Sequence, residues 1–155
     1  MSSAEMMNRI EKSVELKASP ERVWRALTVP AEFSVWFGVE ITGEFSAGER
    51  VDMVSTHPSC AGQRFWIDIV EMTPPRRFSY RWKPGAVTAE SEADAGTTLV
   101  EFTIDPAGTG SKLTVVESGF EAVSIARRAT AFSENTQGWI EQMKSIAEYL
   151  AREGR

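Results

Sequence analysis

The chain has 155 residues, 42% of them hydrophobic and 25% charged, with a formal net charge of −5. That length suits one domain with a buried core, and the composition excludes wholesale disorder. The acidic balance speaks against a binder of nucleic-acid phosphates, and the lone cysteine, Cys60, excludes an internal disulfide and a cysteine-based zinc site.

The first nine residues are expected to be a disordered tail on a single domain spanning 1–155. Met1 to Glu5 lack the apolar stretch of a signal peptide, and no apolar run reaches the ~18 residues of a membrane span. The expected location is therefore the cytoplasm, with no stable membrane association. Val14, Leu16 and Ala18 alternate with charged neighbours and predict a strand with one wet face. Ser19-Pro20-Glu21 then opens a helix with a cap, a first-turn proline and an acid at the positive end of the dipole. Pro30 stops that helix, and a second short one runs from Ala31 to Phe37, ended by Gly38.

The middle of the chain reads as strands and turns. Val39, Ile41 and Phe45 alternate; Val51 and Met53 lie on the next strand after the turn at 46–49. Residues 56–62 form a loop, and 64–72 make a strand broken by Pro74-Pro75. Phe78, Tyr80 and Trp82 occupy every second position, so three rings share a face. Residues 83–96 predict a polar, mobile loop. Val100, Phe102 and Ile104 alternate, and Leu113 and Val115 follow on the last strand. Trp139, Met143, Ile146 and Leu150 then recur at i, i+4, i+7 and i+11, which predicts an amphipathic helix over about 135–152. Residues 124–132 could hold a further helical turn or two.

Helices grouped apart from a run of about six antiparallel strands indicate an α+β fold. Only one long helix is available to cover a large curved sheet, and a gap between the two would make a pocket. Five Trp, eight Phe and two Tyr supply rings to fill a core or to line such a pocket.

Three segments, in order along residues 10–152, resemble the START-like (SRPBCC) superfamily. They are closest to its AHSA1-like branch, named after the carboxy-terminal domain of the activator of Hsp90 ATPase. Ser19-Pro20-Glu21-Arg22-Val23-Trp24-Arg25-Ala26-Leu27-Thr28 is similar to the first-helix motif. Glu71-Met72-Thr73-Pro74-Pro75-Arg76-Arg77-Phe78-Ser79-Tyr80-Arg81-Trp82 is similar to the turn-and-strand motif, and Gly138-Trp139 with Leu150 to the last-helix signature. The resemblance implies a helix-grip (Bet v 1/START-like) fold, a curved antiparallel sheet wrapped around a long carboxy-terminal helix with two short helices after the first strand. It also implies a hydrophobic cavity. Relatives in the superfamily bind lipids, sterols, hormones or polyketide-like molecules, and some are cyclases or resistance proteins. Asn135 stands where the family often carries His, three positions before the Gly-Trp pair. The separate amino-terminal domain of the eukaryotic activator has no counterpart here, so stimulation of a chaperone ATPase is not carried over.

Individual candidates each have a plain structural alternative. His57 and Cys60 form His-x-x-Cys in a loop, which reads as half a metal site, as a thiol–imidazole pair, or as chance. Asp68, Glu71 and Glu101 are strand carboxylates. Glu101 faces outward, and Asp68 and Glu71 lie on opposite faces unless a bulge intervenes. An inward one would have a raised pKa and could act as an acid or base. Trp36 and Phe37 beside Gly38 form either a lid or a hydrophobic staple. Gly138 near the start of the long helix marks a close approach, and Trp139 wedges that helix against the sheet. No phosphate loop, nucleophile elbow or zinc-protease motif is present.

The expected function is binding of a small hydrophobic or aromatic ligand in an internal cavity. Its lining would be Trp36, Met53, Ile69, Phe78, Tyr80, Phe102, Trp139 and Met143, with Tyr80 orienting the ligand. No catalytic residue, metal or cofactor is assigned. Two rival functions remain open. One is an enzyme of polyketide-type metabolism, a cyclase or hydrolase using Glu71, Tyr80 or His57. The other is a chaperone-related interaction module. Ligand identity and oligomeric state are left open by the sequence.

Overall fold

The computed structural model describes residues 8–153. Most of the tail expected over residues 1–9 lies outside the described residues, and Arg9 opens the first strand. In chain order the elements are β1 (Arg9–Leu16), α1 (Pro20–Thr28), α2 (Pro30–Phe37), β2 (Val39–Thr42), β3 (Arg50–Ser55), β4 (Arg64–Thr73), β5 (Arg77–Trp82), α3 (Ala89–Ala93), β6 (Thr98–Ala107), β7 (Gly110–Ser118) and α4 (Ile125–Glu153). A short 3-10 turn, Phe120–Ala122, leads into α4. The seven strands form one curved antiparallel sheet in the order β1-β7-β6-β5-β4-β3-β2, with α4 as its long covering helix.

Local chemistry accounts for the element boundaries. The Ser19 side chain accepts from the Arg22 amide, and Pro20 occupies the first turn of α1, as the sequence predicts. Gly38 ends α2 in the left-handed region at φ 81°. The strand expected to continue through Phe45 stops at Thr42. Phe45 instead folds inward from a loop and stacks on Phe78, with centroids 5.7 Å apart. The loop expected over 83–96 contains α3, started by a reciprocal Thr88–Ser91 capping box.

Helix α4 begins ten residues earlier than its apolar spacing predicts. In its first three turns Phe132 packs on Phe120 and Ala131 is buried, too sparse an apolar stripe for periodicity to report. These turns are held by polar anchors. Asp94 accepts from the Ser124 amide at 3.0 Å and from Arg127 at 2.7 Å, and Arg127 also donates to the Pro84 carbonyl.

Strand β4 carries a bulge at Val70, where the register against β5 shifts between Ile69 and Glu71. Strict alternation would put Glu71 on the same face as Ile67 and Ile69. The extra residue turns it outward, where Arg77 lies 3.5 Å away and Thr73 donates to it at 2.8 Å. Asp68 also faces outward, bonded to Arg50, and Glu101 is bonded to Arg77. None of the three strand carboxylates weighed from the sequence reaches the interior.

The middle of the space between sheet and helices is occupied by rings. Phe33, Phe78, Tyr80, Phe102 and Trp139 are all at most 2% exposed. Their neighbours follow one another at centroid distances of 5 to 6 Å: Phe78 to Tyr80 at 5.8 Å, Tyr80 to Trp82 at 5.2 Å and Phe102 to Trp139 at 5.7 Å. Each such buried side chain contributes about 1.5–3 kcal/mol, with edge-to-face pairs adding about 0.5–1.5 kcal/mol. Among the described residues, clefts lie at the margins of this ring cluster.

Candidate functional site

One margin of the ring cluster is a cleft of about 180 Å³ between the end of α2, the end of β5 and the middle of α4. Phe37, Trp82, Asn135, Gly138, Trp139 and Gln142 line it. Phe37, Trp82 and Trp139 set their ring centroids at the corners of a triangle with sides of 5.7, 6.1 and 6.2 Å. Gly138 keeps the helix side open, since a Cβ built there would meet nothing within 4 Å. It marks open space, not the close approach expected of it. The last carbonyls of α2 are satisfied from α4. Gln142 donates to the Phe37 carbonyl at 3.0 Å and Ser145 to the Trp36 carbonyl at 2.5 Å.

Behind the wall of this cleft lies Glu117, fully buried. Its Oε1 accepts from Trp139 Nε1 at 2.8 Å and from Asn135 Nδ2 at 2.9 Å. Its Oε2 accepts from Trp82 Nε1 at 2.8 Å, Thr98 Oγ1 at 2.5 Å and Asn135 Nδ2 at 3.0 Å. The Gly85 amide donates to Asn135 Oδ1 at 3.1 Å, which fixes the amide with its nitrogen toward the carboxylate. Every donor is neutral. Among the described residues, no Lys, Arg or His forms an ion pair with Glu117. Buried charges usually carry a counter-ion, because desolvating an isolated one is costly. Here four neutral side chains from three elements take that place.

Tyr80 lies in the same interior, and its hydroxyl has no hydrogen-bond partner. Burial, reinforced by the negative charge of Glu117, pushes the phenol well above its ordinary value of 10.0. Tyr80 is therefore a protonated, unspent hydrogen-bond donor, and an unsatisfied buried polar atom is rare enough to call for an explanation.

The eight residues that the sequence offers as cavity lining are all buried, and among the described residues they border different clefts or the core. Trp139 lines the cleft over Glu117. Phe78, Tyr80 and Phe102 form the ring row behind it, and Ile69 pairs across the strands with Tyr80. Trp36 is pinned in the core, its Nε1 donating to the Ala26 carbonyl at 2.7 Å. Met53 borders a separate cleft of about 320 Å³ where β3 and β4 meet the segment after β5. Met143 borders a groove of about 400 Å³ between β1 and α4. His57 and Cys60 engage different serines: His57 Nδ1 lies 2.8 Å from Ser59 Oγ, and Cys60 Sγ lies 3.1 Å from Ser55 Oγ. Among the described residues, no group of three His, Cys, Asp or Glu side chains is placed to hold a metal ion.

Glu117 matches no motif in the sequence, although one signal points to it. Leu113 and Val115 alternate inward on the last strand, and continuing that period places 117 on the same face. Asn135 stands out in the sequence only as a departure from a family pattern.

A curved seven-stranded antiparallel sheet gripping a long carboxy-terminal helix is the architecture of the START-like (SRPBCC) proteins. Residues 17–151 match the family described as Activator of Hsp90 ATPase homolog 1-like protein, and the chain belongs to that family. Among curated proteins, none matches the sequence. Several solved structures share the fold. A protein from Arthrobacter aurescens aligns with a TM-score of 0.77 at 18% identity, covering 98% of this chain and 90% of that one. The Aha1 dimer from Colwellia psychrerythraea aligns at 0.67 and 15% identity, covering 92% and 95%. DynU16, a putative protein in the dynemicin biosynthetic locus, aligns at 0.69 and 20% identity, covering 93% of this chain and 47% of that one. Among the described residues, no helix is long and apolar enough to cross a membrane.

Proposed function

We propose that this protein binds a small apolar or aromatic molecule, which enters at the cleft between α2 and α4 and rests on the ring cluster behind it. The observation that carries this is the cleft itself: three rings, an open glycine face and two amide side chains around about 180 Å³. Mostly apolar walls with a few placed polar groups are the usual make-up of a ligand site. The ring row of Trp139, Phe102, Tyr80 and Phe78 forms the inner part of the lining, and the Tyr80 hydroxyl gives the ligand a hydrogen-bond donor. Trp36, Ile69, Met53 and Met143 complete the lining if binding parts the rings and joins the neighbouring spaces.

Trp82 and Trp139 are built-in reporters. Titration with flavonoid-, lipid- and polyketide-like libraries is expected to give a saturable change in tryptophan fluorescence and a rise in Tm for at least one compound. Gly138→Leu, which fills the cleft, is expected to weaken that response at least about ten-fold. Absence of any saturable change and any thermal shift overturns the proposal.

A second reading, a reaction on a bound polyketide-type molecule, is favoured by Tyr80 alone. Of the three groups that could serve it, Glu71 and His57 face outward, and only Tyr80 is interior and uncommitted. DynU16, from a biosynthetic locus, shares the fold. Chaperone contact is supported least. The exposed large apolar residues Val29, Val35, Val70 and Ile125 are spread over the α1–α2 corner, the β4 bulge and the first turn of α4.

A further inference from the structure

The cleft's chemistry narrows the class of molecule beyond apolar or aromatic. Its six lining residues include no Lys, Arg, Asp or Glu, and three of them are aromatic. Three lining residues, Trp82, Asn135 and Trp139, also donate hydrogen bonds to Glu117. The buried carboxylate is thus one side chain away from the cleft. Four of its five hydrogen bonds come from N–H groups, which only donate, so it is bound as an acceptor at both oxygens. Its lone pairs are spent, and it acts on the cleft through its charge rather than through a further hydrogen bond.

Two features therefore act in the same direction. A negative charge fixed in a low-dielectric interior, with no ion-pair partner among the described residues, favours a positive charge in the nearest open space. Aromatic faces are electron-rich and attract cations by their quadrupole, tryptophan most strongly. In Trp82 and Trp139 the electropositive N–H edge is turned to Glu117, so the anion consumes the part of each ring that would repel a cation. Resting on the binding function proposed above, we infer that the cleft selects an organic cation. It would take a primary or quaternary ammonium, or a protonated heteroaromatic, joined to a small apolar or aromatic body. A volume of about 180 Å³ suits such a head group with a short side chain.

The test uses three probes of similar size and different charge: 2-phenylethylammonium, 2-phenylethanol and phenylacetate, followed by tryptophan fluorescence and calorimetry on the intact protein. The ammonium is expected to bind at least about ten-fold more tightly than the alcohol, and phenylacetate more weakly than either. The preference should persist between low and high salt, because a buried charge is poorly screened whereas the exposed charges that dominate the chain's net −5 are not. Glu117→Gln, checked for fold by near-ultraviolet circular dichroism, should bring the ammonium and the alcohol to within about three-fold of each other. If that variant fails to fold, the charge series and its salt dependence on the unaltered protein decide the matter. Equal binding of alcohol and ammonium, tighter binding of phenylacetate, or a preference lost in high salt overturns the inference and leaves the binding function standing. No saturable response to any of the three probes also overturns it, and the wider library then decides the binding function separately.

Discussion

Glu117 carries no net role in the hydrophobic core, yet it is as buried as the phenylalanines around it. Its position is enforced by strand alternation, and its charge is tolerated because Trp82, Thr98, Asn135 and Trp139 converge on it. Removing one donor should expose that cost. Asn135→Ala is expected to lower stability by about 1.5–3 kcal/mol, the range for hydrogen bonds to charged groups, measured by denaturant unfolding at unchanged m-value. A change within about 0.5 kcal/mol would show that the amide is dispensable. The residue scale is also where the sequence was least legible. Period-2 spacing puts Phe78 and Tyr80 on one face of β5 and Phe102 in step with Val100 and Ile104 on β6, and all three are buried. Glu117 has the same spacing but the wrong residue type for a core reading. What makes it tolerable is donors from β5, β6 and α4, separated from it by 18 to 35 positions.

At the scale of elements, the polar anchors of α4 stand out. Asp94, just after α3, holds the Gly96 and Ser124 amides and the Arg127 guanidinium. The two backbone amides, with help from Arg127, pull its carboxyl well below the ordinary 3.8. A carboxyl lowered in the folded state adds stability above its unfolded value and gives it up as the pH falls through the folded one. The protein is therefore expected to lose this contribution progressively below about pH 3.8. In Asp94→Asn the protein should be less stable at pH 7 and its stability should fall less steeply in that acid range. Parallel stability–pH curves for the two proteins would refute this. The same anchors explain why the early turns of α4 were not legible as helix: their fixing groups lie about thirty residues upstream and leave no apolar period. The bulge at Val70 is a second such case, since one inserted residue reverses the facing of Glu71 without altering the composition of the strand.

At the scale of the whole molecule, the sheet has a well-buried middle and a weak edge. β6 and β7 are each paired on both sides, whereas β2 has four residues and a single neighbour, β3. Backbone hydrogen exchange is expected to be slowest in β5, β6 and β7. It should be faster in β2 by on the order of 100-fold, because local opening there disrupts few contacts. Uniform protection across the sheet would contradict that view. A second device binds the helical layer together. Arg22 of α1 and Glu32 of α2 pair at 2.6 Å, and Tyr149 of α4 donates to the same Glu32 oxygen at 2.8 Å. Three helices thus share one carboxylate, which keeps α1 and α2 seated against α4.

By itself the sequence determined the α+β class, the order of the elements apart from α3, the capped first helix and the ring-bearing faces of the central strands. All of these follow from spacing and turn chemistry within about ten residues. Only the tertiary structure decided where space remains. The rings that could have walled a central cavity pack on one another, because interiors close to van der Waals contact wherever side chains allow. An opening survives beside Gly138, where α4 contributes no side chain. The charge beneath that opening was likewise undecided until β5, β6, β7 and α4 came together. Close packing and charge compensation depend on atoms brought together from distant parts of the chain, and a one-dimensional pattern does not record them.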